Sequence, residues 1–143
     1  HLVLRRQRQM CIRDSNSTDE YPILFIVAAL TKGISKFRGI GDLANKESNR
    51  IKEMQKILKQ VGIKNVASKD DLRVYGRGLF SAHNKKIVVP NLGDHRICMS
   101  TFVLGLLTGA KVLIKNFETV NTSSPSFLKI MRSLGANFEV QKK

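Results

Sequence analysis

Residues 19–33 read DEYPILFIVAALTKG and residues 94–109 read DHRICMSTFVLGLLTG. Each opens on an aspartate, continues through an almost unbroken apolar run and closes on a glycine. An acidic residue at a helix start faces unpaired N–H groups and the positive end of the dipole, and Pro22 in the first turn gives up no bond that the helix needs. A glycine just past the last turn takes the left-handed conformation that ends a helix. Both stretches therefore read as helices. Because each is apolar nearly all round, each must be covered on every side.

The sequence between and after them follows one grammar twice. After the first helix, ISKFRGI (34–40) is short and imperfectly alternating, a strand before a Gly41-Asp42 turn. NKESNRIKEMQKILKQVG (45–62) spaces Ile51, Met54, Ile57, Leu58 and Val61 for a helix that Gly62 ends. NVASKDDLRVYG (65–76) reads as two short strands around residues 69–71. After the second helix come KVLIKNF (111–117) as a strand, SSPSFLKIMRSLG (123–135) as an amphipathic helix with Pro125 in its first turn, and ANFEVQK (136–142) as a strand. The glycine stops recur at similar intervals, Gly33 to Gly62 and Gly109 to Gly135. This is an internal repeat of α/β units, the first over about residues 17–90 and the second over about 91–143. Residues 1–15, HLVLRRQRQMCIRDS, carry four arginines and no period, and are set aside as a non-native or disordered tail.

At 143 residues, 42% hydrophobic and 25% charged, the chain has the composition of a globular domain or part of one. No apolar stretch approaches bilayer length, so a soluble, cytoplasmic protein without a membrane partner is the expectation. Cys11 and Cys98 are too few for a disulfide framework or a four-ligand zinc site, and are expected to be free thiols. The net charge of +14 makes anions the natural ligands. Nucleic acid fits less well, since the lysines are spread from Lys32 to Lys143 with no basic block and no interleaved aromatic platform.

Charged groups cluster at three of the expected helix starts, where backbone N–H groups already favour an anion. In Lys46-Glu47-Ser48-Asn49-Arg50, helical spacing would put Lys46 and Arg50 on one face with Glu47 beside them. The plain alternative is a solvated first turn capped by Ser48 or Asn45. Asp94-His95-Arg96 precedes eleven uncharged residues, so Arg96 either serves a site or is the surface partner of a capping Asp94. His95 titrates near neutrality when unperturbed but is equally a structural histidine. Asp19-Glu20 reads as a site or as a cap with a dipole charge. Thr122-Ser123-Ser124-Pro125 reads most simply as a helix cap, and Cys98 and Met99 as core.

The order DEYPIL, NKESNR, GDHRICMS, NTSSPSF over residues 17–143 resembles the last third of the enolpyruvyl transferase family, in its shikimate-type branch. That resemblance implies an inside-out barrel of repeated βαβαββ units arranged as two globes, of which this chain would supply about two repeats of the C-terminal one, ending near the natural terminus. It implies transfer of the carboxyvinyl group of phosphoenolpyruvate to the 5-hydroxyl of shikimate 3-phosphate with release of phosphate, with no metal or organic cofactor. By resemblance, Asp19 takes the proton of the attacking hydroxyl and also contacts substrate, Glu47 protonates the methylene carbon, Lys46 touches shikimate 3-phosphate, and Arg50 and Arg96 clamp phosphoenolpyruvate. His95 and Thr122 are supporting candidates. Two positions depart from the family pattern: Asn49 stands where an aspartate is usual, removing an expected partner for Arg50 or a neighbouring lysine, and Thr122 stands where some members carry a lysine. The full-length enzyme is expected to be monomeric and this fragment alone inactive. Rival expectations are the UDP-N-acetylglucosamine enolpyruvyl transferase and the RNA 3′-phosphate cyclase within the same architecture, and a small basic nucleic-acid-binding protein outside it.

Overall fold

In the computed structural model, residues 20–140 are described in full and residues 8–12 by their backbone. The elements run β1 (Arg8–Ile12), α1 (Tyr21–Ala29), β2 (Gly33–Phe37), a 3-10 turn (Gly41–Asn45), α2 (Arg50–Gln60), β3 (Asn65–Ser68) and β4 (Asp71–Gly76). There follow β5 (Lys86–Val89), α3 (His95–Thr108), β6 (Lys111–Ile114), α4 (Glu118–Ser123) and α5 (Phe127–Ser133). Strands β1, β2, β4 and β3 form one sheet in that order, parallel between β1 and β2 and antiparallel elsewhere. Strands β5 and β6 form a second, parallel sheet. A parallel pair needs a crossover, and the two apolar helices α1 and α3 supply it. Each parallel pair thus closes one β-α-β unit.

Three boundaries differ from the sequence reading. Strand β1 lies inside the stretch set aside as tail: Arg8 to Ile12 pair in register with Gly33 to Phe37. Ladder bonds join backbone to backbone, so five residues can extend a sheet edge without showing side-chain alternation. Strand β5 pairs with β6, which moves the start of the second unit from about 91 back to Lys86. Residues 136–140 of the expected C-terminal strand have no regular structure. A strand needs a ladder to join, and here Phe138 instead packs edge-on against Phe102 while the Arg132 guanidinium covers its ring.

Helix α1 is covered by α2, α3 and β4. Phe25 and Phe37 meet edge to face at 4.7 Å, and Tyr21 closes the aromatic trio. Phe25 is completely buried, so its truncation to alanine would cost about 3–5 kcal/mol. Gly76 lets β4 approach α1, because a Cβ there would run into the carbonyl oxygens of Ala28 and Thr31. Helix α2 shows the expected stripe, with Ile51, Met54, Ile57 and Leu58 buried. At its end the Gln60 amide imitates a strand: its Oε1 accepts from the Val88 N–H at 2.8 Å and its Nε2 donates to the Val88 carbonyl at 3.3 Å. The first unit thereby pairs with β5 of the second.

Candidate functional site

Helix α2 begins at Arg50, not at Lys46, because the Asn49 side chain accepts the Lys52 N–H and caps it there. Lys46 and Glu47 therefore lie in the turn before the helix, and the expected helical face joining Lys46 to Arg50 does not form. Another contact forms instead. Helix α3 begins after Asp94, whose carboxylate accepts the N–H groups of Arg96 and Ile97 at 3.1 and 3.5 Å. That carboxylate also receives Arg50: Nε donates to Oδ2 at 2.9 Å and Nη2 to Oδ1 at 3.2 Å. Ser48 Oγ donates to Oδ2 at 2.8 Å, and Arg50 Nη2 reaches the Glu47 carboxylate at 2.7 Å.

Arg50 and Asp94 are both 0% exposed. Two charges taken out of water are tolerable only when paired and saturated with hydrogen bonds, which is what these contacts provide. Burial alone would push the Asp94 carboxyl up, but hydrogen bonds from Arg50 and Ser48, with the guanidinium charge, hold it below its ordinary value. The pair spans the two α/β units. Since Arg50 is the first residue of α2 and Asp94 the cap of α3, two helix N-termini meet here. The dipoles of both helices favour negative charge there, and the Asp94 carboxylate already answers that of α3.

The other candidates are dispersed around this junction. Glu47 keeps half its side chain open to solvent and Lys46 is exposed. Arg96 is half-buried beside a concavity of about 220 Å³ lined by Glu20, Ile23, Met99, Ser100, Val103 and Phe127. His95 is half-buried at the first position of α3. Thr122 is exposed on α4, where its hydroxyl donates to the Glu118 carbonyl. The 123–125 segment is not a cap, since α4 runs to Ser123 and α5 starts only at Phe127. Glu20 occupies the cap position of α1 but makes no side-chain capping bond, and Asp19 lies outside the described residues. Cys98 is a buried free thiol, pushed up to about 11 by burial. Among the described residues no cluster of metal-ligating side chains occurs, and no helix is long and apolar enough to cross a membrane.

Two readings need revision. Of the two readings of Arg96, the one that makes it the surface partner of Asp94 gives way, since the Asp94 side chain holds the Arg50 guanidinium and takes only the backbone N–H of Arg96. The sequence also treated Asn49 as a lost partner of Arg50, whereas Arg50 has Asp94 and Glu47 and Asn49 serves as the cap. A capping aspartate has a second oxygen to offer, and that is the one signal that could have pointed from Asp94 to a distant cation.

Residues 7–131 match the family model for EPSP synthase (3-phosphoshikimate 1-carboxyvinyltransferase). The chain belongs to the EPSP synthase family. The match begins within the former tail, consistent with β1 as part of the family's fold. The 3-phosphoshikimate 1-carboxyvinyltransferase of Paramagnetospirillum magneticum is 37% identical over 124 residues, 87% of this chain and 27% of that protein. The same enzyme of Acidiphilium cryptum is 37% identical over 127 residues, 89% of this chain and 28% of that protein. This chain therefore spans between a quarter and a third of the length of these EPSP synthases. An EPSP synthase structure from Acinetobacter baumannii superposes with a TM-score of 0.79 at 34% identity, covering 88% of this chain and 29% of that one. The enolpyruvyl transferase NikO from Streptomyces tendae shares the fold, with a TM-score of 0.61 at 16% identity over 91% of this chain and 28% of its own.

Proposed function

We propose that this chain contributes part of the active site of an enzyme that moves the carboxyvinyl group of phosphoenolpyruvate to the 5-hydroxyl of shikimate 3-phosphate and releases phosphate. The observation that carries the reading is the meeting of two helix N-termini at the buried Arg50–Asp94 pair, with Glu47 beside it and Arg96 two residues past Asp94. Both substrates are anions with phosphate and carboxylate groups, and the helix dipoles with Lys46 and Arg96 beside the junction offer them positive charge without a metal. In addition, a proton leaves the attacking hydroxyl as another arrives at the methylene carbon; elimination then removes a proton and expels phosphate. Asp19 is assigned the hydroxyl proton and contact with substrate, and Glu47 the proton to carbon. The ion pair with Arg50 anchors the Glu47 carboxyl while half of it remains open to a ligand. Arg96 is the outer cation of the phosphoenolpyruvate clamp and Lys46 the contact to shikimate 3-phosphate. Arg50 is assigned to the phosphoenolpyruvate clamp with Arg96; it exposes no surface in this state, so contact with the ligand requires its surroundings to open. His95 and Thr122 are assigned supporting places at the rim. The reading calls on no cofactor, places the enzyme in the cytoplasm and has it act as a monomer on small molecules.

The test uses a full-length version that restores the segments its relatives possess. Glu47→Gln keeps the shape of the side chain but cannot donate the proton, so turnover should fall by about 100-fold or more with little change in KM for phosphoenolpyruvate. Equal losses in both parameters would remove Glu47 from the proton transfer.

A further inference from the structure

The sheet face turned away from the core carries a second, separate concentration of charge. In β2 and β4, Phe37 lies opposite Leu72 and Ser35 opposite Val74, all buried, so the alternate residues face outward. The outward row sets Lys36 directly opposite Arg73. Like charges in facing positions of an antiparallel pair repel, and a fold gains nothing by placing them there. Together with Arg38, Ser68, Asp70 and Asp71 they line a groove of about 630 Å³ on this face. Among the described residues no ion pair joins these cations to those carboxylates, although they share one hollow. Asp71 Oδ1 instead accepts the Gly39 N–H at 3.1 Å, which fixes its carboxylate at the groove's end. Next to the row, Arg73 Nη1 donates to the Tyr75 hydroxyl at 3.4 Å, and Lys64 Nζ lies 4.9 Å from the Tyr75 ring centre.

We propose that this groove is an anion site distinct from the Arg50–Asp94 junction, taking a small phosphorylated, hydroxyl-bearing metabolite with its phosphate between Lys36 and Arg73 and its hydroxyls toward Asp70 and Asp71. A phosphate there turns the cross-strand repulsion into two charge-assisted contacts, one of them to a guanidinium fork whose geometry suits phosphate oxygens. The volume lies within the range of small-molecule pockets. The carboxylates argue against a nucleic-acid strand, because they interrupt the path of a phosphate backbone, and Lys64 already occupies the face of Tyr75 on which a base would stack.

Titration of the ¹⁵N-labelled chain with inorganic phosphate, ribose 5-phosphate and a single-stranded oligonucleotide tests this without reference to catalysis. Phosphate should move the amide signals of residues 36–39 and 70–73, and ribose 5-phosphate should bind the same residues more tightly. Lys36→Ala and Arg73→Ala should each weaken that binding about tenfold, the worth of one charge-assisted hydrogen bond. Lys36→Ala should also raise the melting temperature in the absence of phosphate, since it removes the repulsion, and should shrink the further rise that phosphate gives the unaltered chain. Signals that move only around Arg50 and Arg96 would overturn the groove while leaving the proposed function standing. So would binding that survives both substitutions, or an oligonucleotide that outcompetes ribose 5-phosphate at equal phosphate concentration.

Discussion

Replacing Asp94 by alanine should unfold the junction between the two units. The substitution removes the two carboxylate oxygens that accept from Arg50 Nε and Nη2, the acceptor of the Ser48 hydroxyl and the cap of α3. Breaking a buried pair by deleting one partner costs about 3–5 kcal/mol. Losing a cap costs about 1 kcal/mol more. Glu47 still reaches Arg50 at 2.7 Å and offsets part of the orphaned charge, so a total of about 4 kcal/mol is expected. For a chain of this size that lowers the melting temperature by roughly 12–16 °C. Asp94→Asn retains one acceptor oxygen for the cap and should be less damaging than alanine by about 1 kcal/mol. Urea unfolding followed by far-UV circular dichroism measures both. The pH dependence adds an independent check. The Asp94 carboxyl is held below its unfolded value of 3.8, so its stabilisation is complete above that value and is lost as pH falls through the lower, folded-state value. The Asn variant should lose that part of the acid slope. An Asn variant within about 0.5 kcal/mol of the unaltered chain, with a parallel pH curve, would refute the assignment of the pair as the inter-unit tie.

Further outcomes follow from other contacts. Arg96→Lys in the full-length enzyme should weaken phosphoenolpyruvate binding by about 1.5–3 kcal/mol, because an ammonium cannot replace the fork; unchanged affinity by titration calorimetry would make Arg96 a bystander. Gly109 ends α3 at φ 77° against the His83 ring, so Gly109→Ala should cost at least about 1–2 kcal/mol, partly recovered by His83→Ala. Removing residues 1–12 strips a five-residue ladder from β2 and should cost about 2 kcal/mol; an unchanged melting temperature would return the segment to the status of a tail. The chain alone should release no phosphate from the two substrates, since catalysis needs both anions held in a closed site. It should also self-associate through Leu106, Leu107, Leu113, Ile130 and Leu134, all exposed, and Leu107→Lys with Leu134→Lys should reduce light scattering.

What the sequence displayed and what it hid divide along the range of the interaction. Helix α3 was legible at both ends because a cap and a left-handed glycine act within one turn of it. Helix α2 was legible in its stripe but not at its start, since Ser48, Asn49 and Asn45 are all plausible caps and only the competition among backbone paths chooses. Strand β1 was hidden because an edge ladder is recorded in its neighbour's backbone and leaves no mark on its own side chains. At the site, Glu47 and Arg50 were visible as a local cluster, but their tie to Asp94 crosses 44 positions. Periodicity carries no information over that distance. The C-terminal strand was over-read for the converse reason: alternation can be present where no ladder waits to receive it.

The span of the Arg50–Asp94 tie also governs how the chain is made. During synthesis Arg50 leaves the ribosome before Asp94 exists, and at about 5–20 residues per second the gap lasts roughly 2–9 s. Throughout that interval α2 cannot seat its first turn as in the finished fold, because the guanidinium would be buried without its two contacts to Asp94. Its far end, carrying Leu58, can dock on α1 and β3 earlier, so the helix is expected to settle from its C-terminus toward its N-terminus. The anion-favouring junction thus closes only after Asp94 has emerged, later than the sheet of β2, β3 and β4, whose residues all precede it.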